Sequence, residues 1–298
     1  MASFLEMAPQ LPVLGVGVSL SFGVEPDPVR LAAAKGGPSF VEYAGAVQHS
    51  VLAAPMAELR RAKVPMLYHP SCLNLCGPWP NPPDWLDAVE EHLQVADSAW
   101  LAQDVSVCFV GDVPGYSINL GYFVPPILTR ASLEEAVVRV LEVCARVSRP
   151  LLLEPPPVTF VVGDMDIYVW LSELVERTDC GLLLDAGHIV SHQLASGRPL
   201  TEGLDRLPLE RTIELHVAGG VIEDDQHYID AHDLPILPET WTVFDYLLRN
   251  CPHLRAVCVE CEGSFAQHVV SVLHHTRQRV LLAAANTELR ARVRQEMM

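Results

Sequence analysis

Positive charge is scarce in this sequence: 20 Lys and Arg stand against 37 Asp and Glu, a formal net charge of −17 over 298 residues. A surface that acidic repels phosphate backbones and anionic lipid, so neither nucleic-acid nor membrane-surface binding is expected. Long hydrophobic runs are also missing. No apolar stretch reaches the roughly 18 residues that a membrane helix needs, and the apolar segment 11–24 has no basic run ahead of it. The expectation is a cytoplasmic protein. A disulfide framework is absent as well: the Cys at 72, 76, 108, 144, 180, 251, 258 and 261 are scattered, several inside apolar runs, as buried thiols would be. There is no Walker-type loop, no Ser-His-Asp arrangement and no internal repeat. Gly15-Val-Gly17 lacks the third glycine of a dinucleotide fingerprint and lies inside a strand-like run.

What is present is alternation. Eight short runs rich in Val, Leu and Ile are each followed by a longer segment with helical spacing: Pro12 to Ser19, Ser39 to Tyr43, Val64 to Tyr68, Val105 to Val110, Pro150 to Glu154, Gly181 to Asp185, Thr212 to His216 and Ala256 to Glu260. Amphipathic stretches include Pro83 to Ala99, Ser132 to Val147 and Met165 to Thr178, the second opened by a capping box, Ser132-Leu-Glu-Glu135. Eight strand–helix pairs close a (β/α)8 TIM barrel, whereas a doubly wound open sheet would want the missing glycine fingerprint. The reading is one α/β barrel domain over residues 1–298, with closing helices from Ser264 to Met298.

Barrel active sites sit at the carboxyl ends of the strands. Acidic and imidazole side chains recur there: His69 after the third run, Glu154 after the fifth, Asp185 after the sixth with His188 three residues on, His216 in Glu214-Leu-His216, and Glu260 after the eighth. The loop after the seventh run adds Asp230 and His232. A lone His or Asp at a strand end is usually a hydrogen-bonded or capping residue. Eight facing one mouth are different, because each unpaired buried carboxylate costs several kcal/mol and the only nearby cation, Lys63, stands at the far end of its strand. Divalent cations are the natural neutraliser. The mixed donor set suits Zn, Mn or non-heme Fe, and eight donors exceed one ion's need, so a cluster of two or three ions is implied.

Glu42, Asp104 and Glu262 are candidates for orienting ligands or substrate, and His192 shares a helical face with His188. His227 is an outside candidate in the acidic loop 223–225. Cys258-Val-Glu-Cys261 spells CxxC, but residues three apart on a strand face opposite ways. Cys72 and Cys76 read as buried more than catalytic. His92, His274 and His275 read as surface residues of outer helices.

Taken in order, Gly-Val-Gly17, His69 after a Val-Pro strand, Leu-Leu-Leu-Glu154, Leu-Leu-Leu-Asp185, Glu-Leu-His216-Val-Ala-Gly219, Ile-Asp230-Ala-His232-Asp-Leu-Pro235 and Val-Glu260 resemble the multinuclear non-heme iron-dependent oxidative enzymes, the group that includes the methanobactin-biosynthesis oxidase. The resemblance implies a xylose-isomerase-like barrel with two or three irons held by His69, Glu154, Asp185, His188, His216, Asp230, His232 and Glu260. It further implies dioxygen-dependent modification of a Cys or other residue in a ribosomally made precursor peptide, often with a partner protein that grips the leader. The chain departs from the pattern in four places. The family's Ser-Asp-His reads Gln103-Asp104-Val105, Glu-Asn reads Glu154-Pro155, Asp-Val-Asn-Asn reads Asp185-Ala-Gly-His188, and the His after Ala-Gly is Gly220. The alternatives are a divalent-metal isomerase or phosphoesterase on the same barrel, and a metal-binding scaffold without turnover.

Overall fold

The computed structural model describes residues 3–22, 25–44, 49–113, 116–224, 227–232, 235–262 and 264–298. Positions 23, 24, 225, 233 and 234 of the segments singled out above lie outside the described residues. Among the described residues twelve strands form, in chain order β1 (Gly15–Ser19), β2 (Val41–Tyr43), β3 (Met66–Tyr68), β4 (Leu101–Asp104), β5 (Val107–Val113), β6 (Tyr116–Val124), β7 (Leu151–Glu154), β8 (Gly181–Asp185), β9 (Thr212–Ala218), β10 (Gly220–Glu223), β11 (His227–Asp230) and β12 (Ala256–Glu260). Eight of them close a barrel in the order β1-β12-β9-β8-β7-β4-β3-β2, and the pairings around it are all parallel. The remaining four make two antiparallel hairpins, β5-β6 and β10-β11, in the connections after β4 and β9.

Strand alternation sorts the core into two sets. On β7, Leu151 and Leu153 face the outer cluster against the helices while Leu152 faces the barrel interior. On β8, Leu182 and Leu184 face out and Leu183 in; on β12, Val257 and Val259 face out and Cys258 in. The interior set, Phe40, Leu67, Trp100, Ala102, Leu152, Leu183 and Cys258, fills the floor of the barrel. Phe4, from the short helix Phe4–Met7, belongs to the same cluster, and a Cβ on Gly181 would fall 2.2 Å from its ring. Arg255 holds this N-terminal segment, its guanidinium donating to the carbonyls of Ala8 (3.2 Å) and Pro9 (2.6 Å).

The fourth strand differs from the sequence reading. Val105 to Val110 is not in the barrel; β4 is Leu101–Asp104, and the later residues open the β5-β6 hairpin. Two polar residues, Gln103 and Asp104, end β4 and hide its apolar run, while the Val-rich stretch is pulled outward by Asn74, whose Oδ1 accepts from Cys108 N–H at 2.7 Å and Phe109 N–H at 3.2 Å. The Ser132 capping box moves too. The helix Arg130–Cys144 is capped by Thr129, which exchanges hydrogen bonds with Ser132, because Leu128 is already anchored beside Gly163 and the chain turns helical directly after it. The closing segment forms two helices, Ala266–Ala283 and Thr287–Glu296. No helix among the described residues is long and apolar enough to cross a membrane.

Candidate metal centre

On five barrel strands an inward-facing floor residue is followed, two positions on, by a residue of the mouth. Leu67 precedes His69, Ala102 precedes Asp104, Leu152 precedes Glu154, Leu183 precedes Asp185 and Cys258 precedes Glu260, so the period of two delivers these polar side chains to one layer. His69 is central to it. Its Nδ1 lies 3.6 Å from Glu42 Oε1, and its Nε2 lies 3.3 Å from Asp104 Oδ2 and 3.4 Å from Glu154 Oε2. His216 lies between two carboxylates, with Nε2 3.1 Å from Glu42 Oε1 and Nδ1 3.3 Å from Glu260 Oε1.

His188 and His232 approach Asp230 from two sides, each placing Nε2 close to Oδ2, at 3.1 and 3.0 Å. His188 Nδ1–H donates to the Pro155 carbonyl at 2.9 Å, and His232 Nδ1–H donates to Glu262 Oε2 at 3.0 Å. Those bonds place a proton on each Nδ1, so a neutral ring would turn an Nε2 lone pair toward the shared carboxylate oxygen and a charged ring would donate to it from Nε2. Lone pairs directed at one another require a proton or a cation between them. Asp185 caps the next helix through Oδ1, which accepts from His188 N–H at 2.7 Å.

The polar atoms of this layer are under-satisfied. Among the described residues both carboxylate oxygens of Glu42 and Glu154, Asp104 Oδ1, Asp185 Oδ2, Asp230 Oδ1, Glu260 Oε2 and both ring nitrogens of His216 are buried without a hydrogen-bond partner. His216 Nε2 is near Glu42 yet the alignment is not that of a hydrogen bond, which is the geometry of donors converging on a shared point. Six buried carboxylates (Glu42, Asp104, Glu154, Asp185, Glu214, Glu260) and the partly buried Asp230 face four imidazoles. With all seven carboxylates ionised, protonating every imidazole would still leave three negative charges uncompensated, and no Lys or Arg pairs with them among the described residues. One donor atom each from His69, Glu154 and His216, from Asp104, Glu154 and His188, and from Asp185, His216 and Glu260 lies within 4.8 Å of the others, so each trio could hold an ion. The donor set therefore fits divalent metal.

Titration reflects the same crowding. Burial, reinforced by Asp104, pushes the Glu154 carboxyl up to about 7. The Glu260 charge above all, with help from Asp230 and Glu262, lifts the His232 imidazole to about 12. Burial opposes charging of His69, His188 and His216, but the surrounding carboxylates outweigh it and hold all three well above the ordinary value. Burial also resists ionisation of Glu42, yet the His216 and His69 rings bring it down to about 2.

All eight residues read from the strand ends meet here. Glu42 and Asp104, expected as supporting residues, stand inside the cluster itself, and Glu262 supports His232. His192 does not reach the cluster: its Nε2–H donates to the Pro156 carbonyl at 3.0 Å, steadying the proline loop, and burial lowers its imidazole to about 4. His227 is exposed on β11 and takes no part. Cys72 and Cys76 are buried, and burial pushes the Cys72 thiol up to about 12, as in a structural thiol. His92 is not on the surface. It is 2% exposed, stacks on Tyr68 at 4.4 Å and meets the Tyr43 hydroxyl at 3.1 Å.

Two further residues stand at the cluster that the strand ends do not announce. Glu214, two before His216 on β9, has one oxygen 3.8 Å from His216 Nε2 and the other accepting from the Trp100 indole at 2.7 Å. Cys258 is hidden by its CxxC spelling, although its position two before Glu260 is the signal for the inner face. The family's altered His at Gly220 has a steric cause: a Cβ there would fall 2.4 Å from the Tyr228 ring, which fills that space. Val105 is buried in the outer core.

The fold is shared with the xylose isomerase domain protein of Planctomyces limnophilus (TM-score 0.54, 11% identity, 95% of this chain and 100% of that one). It is shared also with the TTHB071 protein of Thermus thermophilus soaked with ZnCl2 (TM-score 0.53, 15% identity, 88% and 97%). Among sequences, a UPF0276 protein of Bordetella pertussis is 33% identical over 168 residues, 54% of this chain and 52% of its own length. One of Rhizobium meliloti is 33% identical over 129 residues, 41% and 42%, so the matches span about half the length of these curated relatives or less. The UPF0276 protein of Neisseria meningitidis is 24% identical over 209 residues, 68% and 71%. The family model for RiPP precursor modification enzymes MbnB/TglH/ChrH matches residues 38–280, more than half of the chain, and the protein belongs to that family.

Proposed function

We propose that the chain is an iron-dependent oxidative enzyme that uses dioxygen to modify a Cys or another residue of a ribosomally made peptide. The observation that carries the metal reading is the layer of buried, unpartnered carboxylate and imidazole atoms at the barrel mouth; family membership supports the peptide substrate. His69, Glu154, Asp185, His188, His216, Asp230, His232 and Glu260 hold two or three ions, with Asp104 beside His69. Iron bound there would supply a seat for a substrate thiolate and the redox reactivity toward dioxygen. The chain's own residues fix that seat: Pro155 and Glu262 orient His188 and His232 by their hydrogen bonds, and His192 steadies the loop that carries the Pro155 carbonyl. The peptide is presented by a leader-binding partner, and the eight free thiols suit a reducing cytoplasm.

The test is elemental analysis of protein purified without chelator, with oxygen uptake measured on a thiol-containing precursor peptide. About two or more irons per chain and peptide-dependent oxygen consumption are expected from a donor set of this size. A zinc-loaded protein that consumes no oxygen would overturn the oxidative reading in favour of metal-assisted isomerisation or ester hydrolysis.

A further inference from the structure

Below the mouth, at the boundary with the apolar floor, is a group that the reading above does not use. Cys258 lies two residues before Glu260 on the inner face of β12, and the register sets it opposite His216 on β9. One donor atom from each of Glu42, His216 and Cys258 lies within 4.8 Å of the other two, and these residues are 1%, 0% and 0% exposed. Both Glu42 oxygens and His216 Nε2 are buried without hydrogen-bond partners. Glu214 Oε1 is a fourth unpartnered atom, 3.8 Å from His216 Nε2, held in place because the Trp100 indole anchors the other oxygen of that carboxylate. Among the described residues the candidate trios of the mouth offer only oxygen and nitrogen, and sulfur enters in this one alone.

We infer that Cys258 Sγ, His216 Nε2, the Glu42 carboxylate and Glu214 Oε1 form a separate cation site under the mouth, suited to a four-coordinate, thiophilic divalent ion such as Zn2+. His216 joins the two levels, since its Nδ1 reaches Glu260 Oε1 at 3.3 Å while Nε2 serves the lower site. This site rests on the proposed reading through that shared ring and through Glu42, whose Oε1 also stands 3.6 Å from His69 Nδ1. A metal at the lower position braces His216 from beneath and thereby orients a ligand of the mouth.

The test is reconstitution of the chelator-stripped full chain with Co2+ in buffer free of added thiol, read by near-ultraviolet thiolate-to-cobalt charge transfer and by cobalt content. The wild type should show the charge-transfer band. Cys258→Ser should abolish it and release about one ion per chain, while Cys72→Ser should leave both unchanged. Glu214→Gln, which keeps the thiol, should weaken the band and serves if Cys258→Ser does not fold. Cobalt bound without a thiolate band, or a band that survives Cys258→Ser, overturns this inference and leaves the mouth reading standing. A thiolate band with no further cobalt that depends on His188, Asp230 or His232 overturns the mouth reading and leaves the lower site. Absence of any bound cobalt overturns both.

Discussion

The floor and the mouth of the barrel are built by the same strands, and the same inward-facing register serves both; only two residues separate them on each strand. Below, Leu67, Ala102, Leu152 and Leu183 close against one another and against Phe4 and Phe40. Above, His69, Asp104, Glu154 and Asp185 face one another with few hydrogen bonds between them. Burial of each floor leucine contributes about 1.5–3 kcal/mol, whereas each mouth carboxylate costs free energy until a cation is supplied. The lower layer thus maintains a geometry that the upper layer, left to its own electrostatics, would push apart. β9 breaks the rule, because Glu214 stands where the other strands place an apolar side chain, and Trp100 must offer it a hydrogen bond.

Extending the mouth into the floor is the harshest way to break that division. Leu183→Asp places an unpaired charge in the sealed layer, and a loss of about 4 kcal/mol is expected, read as a collapse of the urea midpoint; a shift below about 1 kcal/mol would mean that the floor is wet. Next is Glu154→Gln, whose sign should depend on metal. The native carboxyl titrates at about 7 against an ordinary value of 4.5, so in metal-free protein the folded state retains a proton that the unfolded chain releases. The stability this gives is fully present below about pH 4.5 and is lost as pH rises through 7, on the order of 3 kcal/mol. The substitution should flatten that decline in chelator-treated protein and, in metal-loaded protein, lower metal affinity at least about tenfold. An unchanged pH profile would show that Glu154 is not confined as described.

Gly17→Ala probes the floor more gently. The new methyl would lie 2.5 Å from the Phe40 ring, and a loss of about 2 kcal/mol is expected from overpacking. Thr129→Ala, remote from both layers, removes one helix cap and should cost about 1 kcal/mol with metal content untouched. Metal loss in that variant would mean that the helix bundle, rather than the strand register, sets the mouth.

The strand ends are readable because Leu-Leu-Leu-Glu154 and Leu-Leu-Leu-Asp185 write the switch from apolar to charged directly into the chain. β4 is not, since Gln103 and Asp104 take up half of a four-residue strand and leave no run to detect. Glu42 looks peripheral because β2 is only three residues long, and nothing local reveals that the barrel brings it to His216. His92 carries a usable signal: it stands three residues after buried Val89 on a helix whose inner face also includes Leu86 and Leu93. Its stacking on Tyr68 requires knowing which strand that face covers. The hairpins follow from neither pattern, being fixed by the distant amide of Asn74 and by pairings outside the barrel.

The Phe4 plug has a directional consequence. With an aromatic ring wedged beside Gly181 and Arg255 fastening the carbonyls behind it, the barrel is a blind tube, stoppered at the amino ends of its strands. Whatever reaches Glu42 or Cys258 comes from the carboxyl ends of the strands, where His232 and Asp230 are more exposed than His69, His188 or His216, and it leaves on the same side.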